Sequence, residues 1–312
     1  KIYLMTLPTT FLIGTQKSGS TSLYDWVSQH PEVCADLGLK DFSFFVKDRY
    51  YEKGLSYLSN MILDIYDNEK IVLHGSVQYI YYKKGLERLK NNFPEGKFIL
   101  ILRNPVERLF SSFTSCSKMQ IENEKNILVA SIDKRNERLS SSDYDIRSQL
   151  TYIDHGLYAK QLELFLSFFN REQLFVCFYE DMRNNPTELI KDLYSFLNIN
   201  TNFIPKFDVL NKTGIGLRSL FLQKILFRNI SLQSSIRRFF INKIVNPFFP
   251  LNKRHKLKWR IKEWNSIKNE NSALKDSISH KEKEKLLTYF ISDIEKLEQM
   301  LQINLDHWKK VN

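Results

Sequence analysis

Short apolar runs alternate with amphipathic stretches along the first two thirds of the chain. Residues 11–13, 71–73, 98–102 and 174–178 are apolar throughout, as strands buried on both faces of a parallel sheet should be. Apolar residues with helical spacing lie between and beside these runs: Leu23, Trp26 and Val27; Leu86, Leu89 and Phe93; Leu109, Phe110 and Phe113; Tyr158, Leu162, Phe165, Leu166 and Phe169; Leu189, Leu193 and Phe196. The alternation predicts an α/β fold in which a P-loop-like central parallel sheet is flanked by helices.

Local signals mark the ends of two of these helices. Pro31 should stop a helix that runs over residues 20–30. Asn104 at the N-cap, Pro105 in the first position and Glu107 two residues later form a strong helix start. Because this start follows residues 98–102 directly, we expect a strand-to-helix junction there.

The last third of the chain shows no convincing strand pattern. We expect a final helix near residues 281–302 and a C-terminal region that is helical, while the polar stretch 123–145 reads as a loop-rich insertion. The sequence therefore predicts a single domain over residues 1–312. Its α/β nucleotide-binding core would span residues 8–208, and residues 209–312 would form a basic, mainly helical part.

Bulk composition is that of a globular protein, with 43% hydrophobic and 26% charged residues. No stretch reaches the roughly 18 apolar residues that a membrane span needs. The three cysteines, Cys34, Cys116 and Cys177, suggest neither a disulfide framework nor a metal site, and they fit a reducing compartment.

The net charge of +11 originates in one segment of the chain. Residues 209–262, the basic segment, carry thirteen of the 46 Lys and Arg residues and no Asp or Glu, which leaves 33 cations against 35 acids elsewhere. Such a segment attracts an anionic partner at long range. No nucleic-acid reading motif accompanies the charge, so nucleic acid is not the expected partner.

The first chemical motif is GTQKSGSTSL at residues 14–23, the phosphate loop, between a predicted strand and a predicted helix. Free N–H groups and the helix dipole favour an anion at such a position, Lys17 adds a cation, and Gly19 permits close backbone approach. The hydroxyl donors of the loop are Ser18, Ser20, Thr21 and Ser22. The Gly-Lys-Ser/Thr of NTPases is absent, and a plain Ser/Gly-rich turn is the alternative.

The second motif is ILRNPVERLFSSF at residues 101–113. Arg103 falls at the carboxyl end of a predicted strand, where open α/β sheets bind ligands, and Ser111 lies two helical turns onward. Together they could hold a phosphate, with the arginine binding it bidentately. The alternative is a surface arginine at a helix start. Arg108 is expected to be structural or solvent-exposed.

Taken together, the two motifs resemble those of the sulfotransferases that use PAPS (3′-phosphoadenosine 5′-phosphosulfate). The phosphate loop resembles the family's 5′-phosphosulfate motif, and residues 101–113 resemble its 3′-phosphate motif. The likeness continues through residues 156–169, 173–186 and the final helix, so that it covers nearly the whole chain. It is strongest to the branch of heparan-type and bacterial glycan sulfotransferases.

This resemblance implies a role for each matching residue. Lys17 would stabilise the transferring group and the leaving bridging oxygen, while Arg103 and Ser111 would hold the 3′-phosphate. A late basic loop at residues 211–219 resembles one that closes over the same phosphate. The residues that would bind the 5′-phosphate are Ser18, Gly19, Ser20 and Thr21, and the late loop offers Lys212 and Arg218. The family's reaction needs no metal.

A catalytic base is also implied. Many members carry Lys-Glu-x-x-Phe-Phe after the first helix, with the glutamate as base, and residues 40–45 here read KDFSFF. Asp41 therefore stands at the glutamate position, although its side chain is one methylene shorter. A solvated or capping acid is the alternative interpretation of Asp41, and His74 is the alternative base.

The acceptor is less well defined by the resemblance. Heparan-type enzymes usually have a lysine at the position of Gly75, which weakens a heparan-like assignment, while Ser76 and Gln78 could still line the acceptor cleft. The resemblance implies sulfuryl transfer to a hydroxyl or amine of a glycan, glycolipid or small molecule. The alternatives are an NTP-dependent kinase or other nucleotide-binding protein, and an inactive glycan-binding relative.

Three interpretations of the basic segment remain open: a solvated face of a helical layer, a surface for an anionic glycan, and peripheral contact with an anionic membrane. The expected location is the cytoplasm of a bacterial-type cell, or the Golgi lumen if an anchor precedes Lys1.

Overall fold

The computed structural model describes residues 5–208 and 278–311, together with the backbone of residues 215–217 and 266–268. Its centre is a five-stranded parallel sheet with the strand order β2-β3-β1-β4-β5. The strands are β1 (Thr10–Gly14), β2 (Val33–Cys34), β3 (Ile71–Gly75), β4 (Lys97–Leu102) and β5 (Leu174–Phe178). The predicted α/β class and all four predicted strands are confirmed. β2 was missed because two residues are too few to show a pattern.

Helices cover the sheet. They are α1 (Ser20–Ser28), α2 (Asp48–Tyr51), α3 (Leu55–Leu63), α4 (Lys83–Asn92), α5 (Pro105–Lys118), α6 (Arg135–Ser140), α7 (Tyr144–Gln149), α8 (Tyr158–Leu166), α9 (Tyr179–Asn184), α10 (Pro186–Leu197), α11 (His280–Leu287) and α12 (Ile291–Leu301). The predicted start of α5 is confirmed, since the Asn104 side chain accepts hydrogen bonds from the backbone N–H groups of Val106 and Glu107 at 3.0 and 3.2 Å.

Two apolar cores lie on opposite faces of the sheet. Phe11 and Phe98 belong to the core that contains α5 and α8, whereas their neighbours Leu12 and Ile99 belong to the core that contains α1 and α10. Successive residues of a strand point to opposite faces, so this division follows directly from the strand pleat. It explains why the central strands are apolar at every position.

The polar stretch 123–145 is more ordered than predicted. It contains a π-helical turn at Val129–Asp133, all of α6 and the start of α7. A buried ion pair anchors the stretch, with the Arg138 guanidinium 2.8 Å from the Glu122 carboxylate. The polar composition that predicted a loop therefore includes charged side chains that are buried inside the protein.

The chain end also differs from the prediction. The single helix expected near residues 281–302 is two helices, α11 and α12, and Phe290, which is fully buried in the core, is the N-cap of α12. The backbone after residue 208 includes the short strands β6 (Ile215–Leu217) and β7 (Ser266–Lys268), which pair antiparallel. The expectation of no strand there was wrong, since three-residue strands leave no periodic signal. The helical character of residues 278–311 is confirmed.

The division of the chain into a core and a C-terminal part at residue 208 stays a prediction.

Within the part of the chain described here, no helix is long and apolar enough to cross a membrane.

Candidate functional site

The two predicted anion motifs meet at the carboxyl edge of the sheet. β1 ends at Gly14 and is followed by the phosphate loop, and β4 ends at Leu102 and is followed by Arg103. Because β1 and β4 are parallel neighbours, the two segments leave the sheet side by side. Arg103 Nη1 donates to the carbonyl oxygen of Lys17 at 3.4 Å, so the motifs are in contact although 86 positions separate them.

Left-handed backbone gives the phosphate loop its shape. Lys17 has φ 67° and Gly19 has φ 92°. Thr15 Oγ1 lies 2.7 Å from Ser18 Oγ and also donates to the Ile101 carbonyl at 2.9 Å, which ties the loop to β4. Gly19 is the N-cap of α1 and supplies no side chain to cap it. An N-terminus of a helix without a side-chain cap favours an anion at this position.

The hydroxyl groups of the loop differ in exposure. Ser18, Ser20 and Ser22 are buried, and Thr21 is half-buried at the start of α1. Lys17 is also half-buried. Burial raises the strength of any charge interaction that these groups make, since water screens it less.

Arg103 is held in place from two sides. Its Nη2 atom lies 2.9 Å from the Glu107 carboxylate, one helical turn onward, and its guanidinium lies 4.5 Å above the Tyr179 ring. Only 17% of its side chain is exposed. Ser111, on α5 with Glu107, is 4% exposed. An arginine fixed in this way presents its remaining N–H groups with little loss of side-chain entropy.

Arg108 is fully buried, which excludes the solvent-exposed alternative and leaves the structural one. Its Nη2 atom donates to the Tyr152 carbonyl, while Nε and Nη1 have no hydrogen-bond partner among the described residues. Burial lowers the pKa of the guanidinium, because the charged form is separated from water. Arg108 thus places a poorly compensated positive charge in the same helix as Ser111.

Asp41 lies at the same edge, beside the end of β3. Its backbone N–H donates to the Gly75 carbonyl at 2.7 Å, and its Oδ1 accepts from the Val77 N–H at 3.4 Å. Its Oδ2 atom forms an ion pair with Lys40 Nζ at 2.9 Å, and 51% of the side chain is exposed. The carboxylate is therefore open to a reactant on one side and electrostatically supported on the other.

His74, the alternative base, is turned into the protein. Its Nε2 atom lies 2.8 Å from the Tyr79 hydroxyl and 3.2 Å from the Phe42 carbonyl. Burial lowers its pKa to about 4, since desolvation disfavours the charged ring. These contacts favour a structural role for His74.

Gly75 is glycine for a steric reason. A Cβ atom there would lie 3.0 Å from two ring carbons of Tyr24, so the lysine of heparan-type enzymes does not fit without displacement of that ring. The next residue, Ser76, is buried, with its Oγ 2.9 Å from Ser43 Oγ. Gln78 is also buried and donates through Nε2 to the Ser148 carbonyl at 3.0 Å.

Sequence reasoning missed four residues of this region. Gln16 bonds the Ser148 carbonyl, Ser43 contacts Ser76, and Tyr144 of α7 stacks on Tyr82. Gln16 and Ser43 could have been singled out because they lie within the phosphate loop and within the KDFSFF stretch, but Tyr144 and Ser148 carry no sequence signal. Lys212 and Arg218 lie outside the described residues. Among the described residues, no group of three or more His, Cys, Asp or Glu side chains could hold a metal.

Comparison with known proteins identifies related sequences. The profile of the family described as "Sulfotransferase domain" matches residues 7–212. The chain is 24% identical over 200 residues to the bifunctional heparan sulfate N-deacetylase/N-sulfotransferase 1 of Caenorhabditis briggsae, covering 62% of this chain and 23% of that protein. It is 25% identical over 207 residues to the heparan sulfate glucosamine 3-O-sulfotransferase 3A1 of Mus musculus, covering 66% and 50% respectively. The chain thus spans half or less of the length of these relatives.

A solved structure has a similar fold. The crystal structure of a sulfotransferase from Alicyclobacillus acidocaldarius superposes with a TM-score of 0.63 at 20% identity, covering 98% of this chain and 100% of the other. At this identity the likeness concerns the fold.

Proposed function

Because the chain belongs to the sulfotransferase domain family, we propose that it transfers a sulfuryl group from PAPS to a hydroxyl or amine of an acceptor. The observation that carries this proposal is the contact between Arg103 and the backbone of Lys17, with Nη1 and the carbonyl oxygen 3.4 Å apart. Two cationic segments that meet at one sheet edge can bind both ends of a nucleotide with phosphates at its 3′ and 5′ positions.

Donor binding is assigned to the two motifs. The backbone of Gly19 and the hydroxyl groups at the start of α1 would bind the 5′-phosphate, and Arg103 with Ser111 would bind the 3′-phosphate. Within the first group the hydroxyl donors are Ser18, Ser20, Thr21 and Ser22. Lys212 and Arg218 would close over the 3′-phosphate from the basic segment.

The transfer step is an in-line displacement at sulfur. The acceptor oxygen or nitrogen forms a bond to sulfur while the bond from sulfur to the bridging oxygen of the donor breaks, and 3′,5′-bisphosphoadenosine (PAP) leaves with the bonding electrons. Lys17 neutralises the charge that develops on the bridging oxygen. Asp41 takes the acceptor proton, and the exposure of half of its side chain at the sheet edge supports this role. As in phosphoryl transfer, the protein mainly positions the reactants and neutralises charge.

The acceptor that we propose is a glycan or glycolipid, with a small molecule as the alternative. Two observations support a glycan: the relatives named above act on heparan sulfate by their names, and the basic segment would attract an anionic polymer. Gly75 stands where heparan-type enzymes usually have a lysine, and a side chain there would press on the Tyr24 ring, which supports an acceptor that differs from heparan.

Thermal unfolding tests the donor assignment. We expect PAP to raise the melting temperature and ATP to leave it unchanged, because two separate phosphate sites recognise the 3′ and 5′ groups. The reverse result would support the NTP-dependent alternative. Transfer of labelled sulfate from PAPS to a panel of glycans, lipids and small acceptors, read by mass spectrometry, then identifies the acceptor. PAP binding without any transfer would support an inactive glycan-binding relative.

We further propose a reducing, cytoplasmic location with peripheral membrane contact through the basic segment. Three free, buried cysteines support the compartment, and the thirteen cations of residues 209–262 support the contact. Co-sedimentation with anionic but not neutral vesicles is the expected result. No binding to either kind of vesicle would exclude the membrane and leave the solvated face and the glycan surface as the interpretations of this segment.

A further inference from the structure

Gln16 connects the phosphate loop to two other elements. It directly precedes Lys17, and its Nε2 donates to the carbonyl of Ser148 at the end of α7, at 3.3 Å. Its Oε1 accepts from Ser112 Oγ of α5, also at 3.3 Å. The terminal amide of Gln16 therefore bonds α7 through its nitrogen and α5 through its oxygen.

The Ser148 carbonyl receives a second amide. Gln78 Nε2, from the segment after β3, donates to the same oxygen at 3.0 Å. One carbonyl thus joins the phosphate loop to the segment that carries Ser76. Both oxygen lone pairs of a carbonyl can accept, so the two bonds are compatible.

α7 also contributes to the region of the proposed base. Tyr144 stacks on Tyr82 with ring centroids 5.4 Å apart, and Lys47 Nζ lies 4.4 Å above the Tyr144 ring. Ser43, two residues after Asp41, lies with its Oγ 2.9 Å from Ser76 Oγ. Through Tyr144, α7 therefore packs against the segment that follows Asp41 and the segment that follows β3.

We infer that Gln16 is a positioning residue that couples donor binding to the acceptor side of the site, through the Ser148 carbonyl and α7. This inference rests on the proposed function, since it requires the phosphate loop to bind the donor. A bound 5′-phosphate fixes the loop backbone, and a fixed backbone restricts the Gln16 side chain to the conformation that bonds Ser148. α7 is then held in one place before the acceptor arrives, which is the preorganisation that transfer needs.

Hydrogen exchange with PAP as the probe tests the coupling without knowledge of the acceptor. In the wild-type chain, PAP should slow exchange in residues 15–22 and also in residues 143–150, the latter by about fivefold or more. In Gln16→Met, which keeps the side-chain length and removes the amide, protection of residues 15–22 should remain and the PAP-induced change in residues 143–150 should vanish.

Gln78→Met is the matched control, because it removes the other bond to the same carbonyl. If the Gln78 bond only anchors α7, Gln78→Met should raise the exchange rate of residues 143–150 both with and without PAP. The change that PAP induces in these residues should persist in this variant. If Gln16→Met folds poorly, Gln16→Asn serves in its place, since its amide stops one methylene short of Ser148.

Three results separate the outcomes. A PAP-induced change in residues 143–150 that survives in Gln16→Met overturns the inference and leaves the donor assignment intact. The inference is also overturned, with the donor assignment intact, if the wild-type protein binds PAP by calorimetry but PAP slows exchange only in residues 15–22. Wild-type protein that does not bind PAP overturns the proposed function, and the inference with it.

Discussion

Asp41 stands where a longer acid is usual in the resembled pattern, and its backbone shows how the shorter side chain is presented. Its φ of 64° and the bond from its N–H to the Gly75 carbonyl hold the residue against the end of β3. Left-handed backbone in a residue other than glycine is uncommon, and asparagine and aspartate tolerate it best. The backbone conformation therefore brings Asp41 to the sheet edge, so that its shorter side chain places the carboxylate there.

Asp41→Asn should lower kcat by about a hundredfold or more, because the amide cannot take the acceptor proton. The affinity for PAP should change little, since the donor motifs are on other segments. Turnover measured with PAPS and an accepted substrate, beside PAP calorimetry, checks both statements. Asp41→Glu is the control and should retain activity. Normal turnover of Asp41→Asn would show that the base is elsewhere.

Arg103→Ala should weaken PAP binding by roughly ten- to a hundredfold, as expected for the loss of charge-assisted hydrogen bonds worth about 1.5–3 kcal/mol. Calorimetry at two salt concentrations checks this, with a smaller salt dependence in the variant. Arg88→Ala removes an arginine that also bonds a carboxylate and lies over a tyrosine ring, but outside the proposed site. Equal losses in both variants would contradict a specific role for Arg103.

The junction between β1 and α1 is the element on which the donor site depends. At Gly19 the chain turns with φ 92°, and a Cβ atom would lie 3.0 Å from the Tyr179 ring and 3.1 Å from Met182 Sδ. The loop therefore packs closely against α9, the same helix whose Tyr179 supports Arg103. A change in this contact would disturb both halves of the site.

Gly19→Ala should cost about 1–3 kcal/mol in unfolding free energy and also reduce PAP affinity severalfold. Gly54→Ala is a matched control, because Gly54 has φ 78° but a Cβ there would meet nothing closer than Ser56 Oγ at 3.9 Å. Denaturant unfolding should show a backbone cost in both variants, and PAP calorimetry a loss only in Gly19→Ala. Unchanged PAP affinity in Gly19→Ala would remove the loop from the donor site.

Over the whole molecule, two buried histidines link stability to pH. Burial lowers the pKa of His74 to about 4 and that of His155 to about 3, from an ordinary value of 6.5. Between these values and 6.5 the unfolded chain binds more protons than the folded chain. The contribution of these two histidines to the unfolding free energy is therefore fully present above pH 6.5, and it is lost as the pH falls toward 4.

Lowering the pH from 7.5 to 5 should reduce the unfolding free energy by roughly 2 kcal/mol for each of these histidines, at about 1.4 kcal/mol per pH unit below 6.5. Urea unfolding at the two values measures this. His74→Gln should make the loss smaller, because one of the two linked groups is gone. The same unfolding free energy at pH 7.5 and 5 would be inconsistent with neutral, buried imidazoles.

Much of the fold and part of the site could be predicted from local patterns. Phe98 lies in a strand that was recognised because every position is apolar, and Arg103 was recognised because it follows that strand. β2 was missed for want of length, and the break at Phe290 was missed because its burial depends on distant elements. The roles given to the site residues stay predictions.

The sequence by itself determined the order of the four longer strands along the chain and the positions of the two anion motifs, because each follows from a pattern within a short stretch, while the place of Asp41 came from the family resemblance. Only the tertiary structure decided that Arg103 touches the Lys17 backbone, that Arg108 and His74 turn inward, and that Gln16 and Gln78 share the Ser148 carbonyl. These contacts join residues far apart in the chain. Their formation depends on how the sheet orders its strands and on which groups burial forces to find partners.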